Sequence, residues 1–168
     1  FGGCGFIHLY LLQGEGQILQ FLSHWRTHTQ CGDLLRVSVS WLQLHLGISW
    51  FFLSDTVTPL PHFPGRWLKS LRTLLAKIGG SIEVDALFLP PIQRLHDVYI
   101  MDLVLHTSCF TNKEIQLINY CRLYLQAVTM SDICLPDGVT LDPDLLLGNL
   151  TETSSKSRWI HINQARPA

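Results

Sequence analysis

The sequence predicts a mainly α fold, an irregular helical domain with at most a small β-hairpin element around residues 81–85 and 139–141. Two observations carry that expectation. Arg66 to Ile78 alternates apolar and basic residues at helical spacing, and Thr111 with Glu114 forms a complete helix-start signal.

Along the chain, Gln17 to His28 reads as a helix with Ile18, Leu22 and Trp25 on one face. Gly32-Asp33 breaks it, and Asp33 is placed to cap a second helix running to Leu46 and closed by Gly47. Within that stretch Val37 to Trp41 alternates with period two and also suits a strand. Pro59, Pro61, Pro64 and Gly65 make Thr56 to Gly65 a loop.

In the Arg66–Ile78 helix, Trp67, Leu68, Leu71, Leu74, Leu75 and Ile78 fall on one arc, opposite Arg66, Lys69, Arg72 and Lys77. Gly79-Gly80 stops it, and Ser81 to Asp85 is a candidate short strand. Pro90-Pro91 opens a further predicted helix in which Ile92, Leu95, Tyr99 and Leu103 share a face.

Thr111-x-x-Glu114 is a capping box for a helix from Asn112 to about Val128, with Phe110 and Ile115 positioned as a hydrophobic staple. Asp137-Gly138 marks a turn, Val139 to Leu141 a possible strand, and Asp142-Pro143 the start of a short last helix ending at Gly148. Residues 1–150 thus form one helical segment, and 151–168, Ser/Thr-rich at its start, reads as a polar linker to a further domain.

Charged residues are only 15% of the 168, so part of the surface is expected to be covered by something else. Formal charge is −1, which leaves nucleic-acid contact to local patches. The five cysteines (Cys4, Cys31, Cys109, Cys121 and Cys134) are odd in number and contain no C-x-x-C, which argues for a reducing, intracellular compartment. Asn149-Leu150-Thr151 fits a glycosylation sequon, a pattern too short to outweigh that. Glycines stand where a signal peptide needs basic residues, and the apolar window from Val37 to Leu53 carries too many polar side chains for a membrane span. The chain opens on Phe1 and closes on a polar tail, so it is expected to be a segment of a longer reading frame.

His24 and His28 are spaced for one face of a helix, but no third ligand accompanies them, and His96-Asp97 is an isolated pair. Asp132, Asp137, Asp142 and Asp144 miss the calcium-loop template and are expected to serve caps and turns. No G-x-S-x-G elbow, phosphate-loop lysine or pair of adjacent aspartates occurs. The chain is therefore expected to be non-catalytic on its own and to need no cofactor or metal.

Two polar faces remain as candidate nucleic-acid contacts. Arg66, Lys69, Arg72 and Lys77 give a +4 helix face with no acidic residue between them. Asn119, Arg122 and Gln126 form a polar stripe at i, i+3 and i+7. For both faces a solvated outer surface is the commoner reading.

From Phe1 to Ala168 the chain resembles a segment of reverse-transcriptase proteins of eukaryotic transposable elements. The resemblance rests on Gly2-Gly3-Cys4-Gly5 with His8-Leu9-Tyr10 and Gln13-Gly14, on Trp41 to Gly47, and on Arg66-Trp67-Leu68 with Leu71-Arg72. Gln93-Arg94, His96-Asp97 and Ile100-Met101-Asp102 continue it. Ile118 to Leu125 with Ser131-Asp132-Ile133 follows, its most specific part being Asn119 to Leu125 with Ser131-Asp132-Ile133, and Asn163 to Pro167 ends it. The resemblance implies a thumb-like or connecting region after the polymerase palm, holding template–primer or packing on neighbouring domains of a polyprotein. It implies RNA-directed DNA polymerase activity for the parent and none for this segment, and it carries over no functional residue.

Overall fold

The computed structural model describes residues 9–86, 88–107 and 109–147. It is mainly helical. In order come α1 (Leu9–Arg26), α2 (Gln30–Leu46), α3 (Trp67–Ile78), α4 (Ile100–His106), α5 (Asn112–Leu125), a 3-10 turn (Met130–Ile133) and α6 (Pro143–Leu147). Among the described residues no strand forms; two isolated bridges, Tyr99 to Thr129 and Cys134 to Leu141, are the β pairing present. The expected strand at 81–85 does not form; the segment is irregular, and its Ile82 N–H bonds to the Leu53 carbonyl. That at 139–141 reduces to the Cys134–Leu141 bridge.

These residues gather into two compact units, a division the sequence did not reveal. The first comprises 9–44 and 50–86, the second 45–49 and the described residues from 88 onward.

In the first unit, Phe21 stacks on Trp25 and on Trp67, and Phe52 meets Phe63 edge-on with ring centroids 5.4 Å apart. Val39, Leu42, Leu53, Leu71, Leu74 and Leu75 complete this core. α1 begins eight residues before the expected Gln17, counting from Leu9, and carries Gly14 and Gly16 inside it. Gly14 is required there, because a Cβ would lie 2.3 Å from Leu74 Cδ2. α2 starts before Asp33, which sits in its first turn bonded to Arg36 at 2.6 Å rather than capping. The Thr29 hydroxyl does that work, accepting from the Gly32 N–H. Val37 to Trp41 is helical, so burial of Val39 and Leu42 won over the period-two alternation.

α3 starts one residue after the expected Arg66, which stands as its N-cap, and ends as expected at Ile78, before Gly79 in the left-handed region. Its buried face is Leu68, Leu71, Leu74 and Leu75; Trp67 is half-buried and Ile78 exposed at the helix end. From the last turn of α2, Gln43, 1% exposed, reaches the α2–α3 connection, donating to the Trp50 carbonyl at 2.5 Å and accepting from the Phe52 N–H at 3.2 Å. This satisfies two backbone groups that the loop would otherwise bury.

In the second unit the helix expected from Pro90 does not form. Residues 90–99 are irregular, His96 is left-handed, and the helix begins at Ile100. The reason is long-range: Asp97 accepts from the Ser131 N–H at 3.0 Å and the Ser131 hydroxyl at 2.5 Å, while Ile100 N–H and Met130 N–H bond the Val128 and Val98 carbonyls. A helix running through these residues would turn the Ile100 N–H and the Val98 carbonyl to intrahelical partners and away from Val128 and Met130. The Thr111–Glu114 capping box is present in full, and α5 ends three residues before Val128, on a left-handed Gln126. Ile115 is buried while Phe110 is 39% exposed. Asp132, Asp137 and Asp142 serve caps and turns as expected: Asp132 takes the Val128 and Thr129 N–H groups, Asp137 those of Val139 and Thr140, Asp142 those of Asp144 and Leu145. Gly148, the sequon, the 151–168 linker, Cys4 and the Gly2–Gly5 run lie outside the described residues.

Candidate functional site

The basic face of α3 divides in the structure. Arg66, Lys69 and Lys77 are exposed and share an arc of about 80° at helical spacing. Lys77 Nζ lies over the Tyr10 ring, 4.5 Å from its centroid. Arg72 turns inward. Its Nε donates to the Phe52 carbonyl at 3.0 Å, and its terminal nitrogen to those of Asp55 and Thr58 at 2.9 and 2.6 Å. Three carbonyls of an irregular loop thereby gain charged donors, so Arg72 is a loop-holding residue. Burial lowers its pKa and the Asp55 charge opposes that.

The α5 stripe is also not what its spacing suggested. Asn119 and Arg122 are 3% and 4% exposed, and Gln126 is the left-handed cap. Arg122 Nε donates to Asn119 Oδ1 at 3.0 Å, and its terminal nitrogen donates to the His45 carbonyl at 2.6 Å. Burial pushes its pKa down to about 10, still charged at neutral pH. Asn119 and Arg122 are therefore interior connectors of the second unit, withdrawn from any external phosphate. No local signal in the sequence distinguishes such an arginine from a surface one.

His24 lies in the last turn of α1, which ends at Arg26, so His28 falls beyond the helix and the two do not share its face. Among the described residues no three His, Cys, Asp or Glu side chains are grouped to hold a metal. Cys31, Cys109, Cys121 and Cys134 are free thiols. No helix among those residues is long and apolar enough to cross a membrane, the Val37–Leu53 window included.

The exposed apolar faces are not among the sites expected above. On α2, Leu34, Val37, Trp41 and Leu44 are 61, 66, 59 and 43% exposed, at i, i+3, i+7 and i+10. That is the seam spacing of a helix that packs on another helix. On α5, Leu117, Tyr120 and Tyr124 repeat the pattern, and Tyr120 and Tyr124 with Leu145, Leu146 and Leu147 of α6 line an apolar groove. The sequence signals for these faces are that spacing and the low charge content.

None of the protein-family models, curated proteins or solved structures compared with the chain matches it.

Proposed function

We propose that the chain is a non-catalytic segment of a transposable-element reverse transcriptase, from the region after the palm, and that its role is to pack on neighbouring parts of the same protein. The origin rests on the resemblance of the Ile118–Leu125 and Ser131–Ile133 blocks. The role rests on the exposed α2 seam of Leu34, Val37, Trp41 and Leu44. Four large apolar side chains at heptad spacing, with Ser38 and Ser40 beside them, favour contact with another apolar helix over contact with a phosphate backbone.

The origin is tested by the longer reading frame: clustered palm carboxylates upstream support it, and a frame without them refutes it. The role is tested by replacing Trp41 and Leu44 with Glu. The double variant is expected to bind the flanking segments of the longer reading frame, supplied in trans, more weakly than the parent chain while its unfolding midpoint holds. Binding unchanged by the pair overturns the packing role.

A second reading is template–primer contact through Arg66, Lys69 and Lys77, favoured by their exposure on one arc. Neutralising one of them is expected to weaken RNA–DNA hybrid binding and to lower the salt slope by roughly one unit per lost phosphate contact. A triple neutral variant that folds and binds hybrid as the parent does ends this reading.

A further inference from the structure

In the second unit the C-terminal half of α5 and the five-residue α6 flank an apolar groove of about 450 Å³. Its lining includes Tyr120, Cys121 and Tyr124 on one side and Leu145 to Leu147 on the other. α6 stands on a small cluster, in which Leu145 is buried against Leu125 and Ile133. The rest of the lining meets water: Leu146 and Leu147 are 45 and 75% exposed, Tyr120 and Tyr124 71 and 41%. None of the lining residues is charged.

The chain continues from the wall of that groove, since α6 ends at Leu147. Past Leu150, residues 151–158 are Thr, Glu, Ser, Lys and Arg, and the large apolar side chains of 151–168 are Trp159, Ile160 and Ile162. We propose that the α5–α6 groove is the docking site of this chain's own Trp159–Ile162 segment, which lies outside the described residues, with Trp159 as the anchor.

Reach and chemistry favour this occupant. Twelve positions separate Leu147 from Trp159, and a Ser-rich linker of that length spans about 20 Å r.m.s.. Tyr120 and Tyr124 lie one turn apart, about 6 Å along the helix axis, so the whole groove is within that span. Tethering sets the local concentration of the segment at roughly a millimolar, well above that at which a second copy would compete in dilute solution. An indole and two isoleucines gain by leaving water for an uncharged lining, and Trp and Tyr rings attract one another beyond the area they bury. Cover of this groove also fits the charged fraction of 15%, too low for a surface wholly given to solvent. The groove shares no residue with the α2 seam.

Cys121, a free thiol in the groove lining, reports on its cover. The test is the iodoacetamide alkylation rate of each cysteine in the full 168-residue chain, resolved by peptide mass spectrometry. Trp159→Ser combined with Ile160→Ser is expected to raise the Cys121 rate about tenfold, the ratio of a millimolar local concentration to a dissociation constant of about 0.1 mM for the untethered segment. Cys31 and Cys109, exposed and outside the groove, are expected to keep their rates. Leu146→Gln, on the α6 wall, is expected to raise the Cys121 rate as well, with no further rise when the tail pair is added. A Cys121 rate unchanged by the tail pair overturns the docking, and so do rises that multiply in the combined variant. Protection of Cys121 that grows with protein concentration assigns the groove to a second copy and overturns it too. If Leu146→Gln does not fold, the tail pair decides, because it alters none of the residues that line the groove.

Discussion

The Arg122 guanidinium donates to the backbone carbonyl of His45, 77 positions earlier in the chain, and fills the space a side chain at Gly47 would need. The contact joins a helix interior to a helix end, where carbonyls lack intrahelical partners.

Two substitutions probe it. Arg122→Met removes a charged donor from the His45 carbonyl and from Asn119, and is expected to cost about 3 kcal/mol. Gly47→Ala combines a left-handed backbone with a 2.4 Å clash and is expected to cost about 2 kcal/mol. Urea unfolding of both variants checks this; a midpoint unchanged in either would mean the contact contributes nothing to stability.

The two glycines of α1 predict opposite signs. At Gly16 a Cβ meets nothing within 4 Å, so Gly16→Ala is expected to stabilise by about 1 kcal/mol through helix propensity. At Gly14 the same change meets Leu74, itself 3% exposed, and is expected to destabilise by about 1 kcal/mol after the propensity gain. Thermal melts of the pair give the comparison, and shifts of the same sign would contradict the close approach of α1 and α3.

Arg72 and Lys69 separate a structural cation from a solvent-facing one on a single helix. Arg72→Gln is expected to lower stability by about 3 kcal/mol, since three loop carbonyls lose charged donors. Lys69→Gln is expected to change it by less than about 0.5 kcal/mol. Equal effects in chemical denaturation would return Arg72 to the exposed face.

Asp97 predicts an acid transition. Burial raises its pKa, but hydrogen bonds from Ser131, Thr129 and Val98 outweigh that and hold it below the ordinary 3.8. A carboxyl lowered in the folded state contributes stability above its unfolded value and loses it as pH falls through the folded one. The stability difference between the parent and Asp97→Asn is therefore expected to shrink from about pH 5 to about pH 3. A difference constant over that range would show that the Asp97–Ser131 pair is not what terminates the irregular 90–99 segment.

The sequence by itself determined the elements whose physics is local. The α3 bounds follow from apolar spacing and Gly79, and the α5 start follows from a capping box closed within four residues. The turns at Asp137 and Asp142 are equally local, each carboxylate bonding N–H groups two or three positions on. Tertiary structure decided the rest. Pro90 announced a helix, yet Asp97 found Ser131, 34 positions away, and the helix waited until Ile100. Arg72 and Arg122 read as cations for solvent or phosphate because spacing records only the face of a residue's own helix. Whether that face meets water depends on carbonyls 14 to 77 residues distant, whose need for a donor arises only when the chain has folded around them.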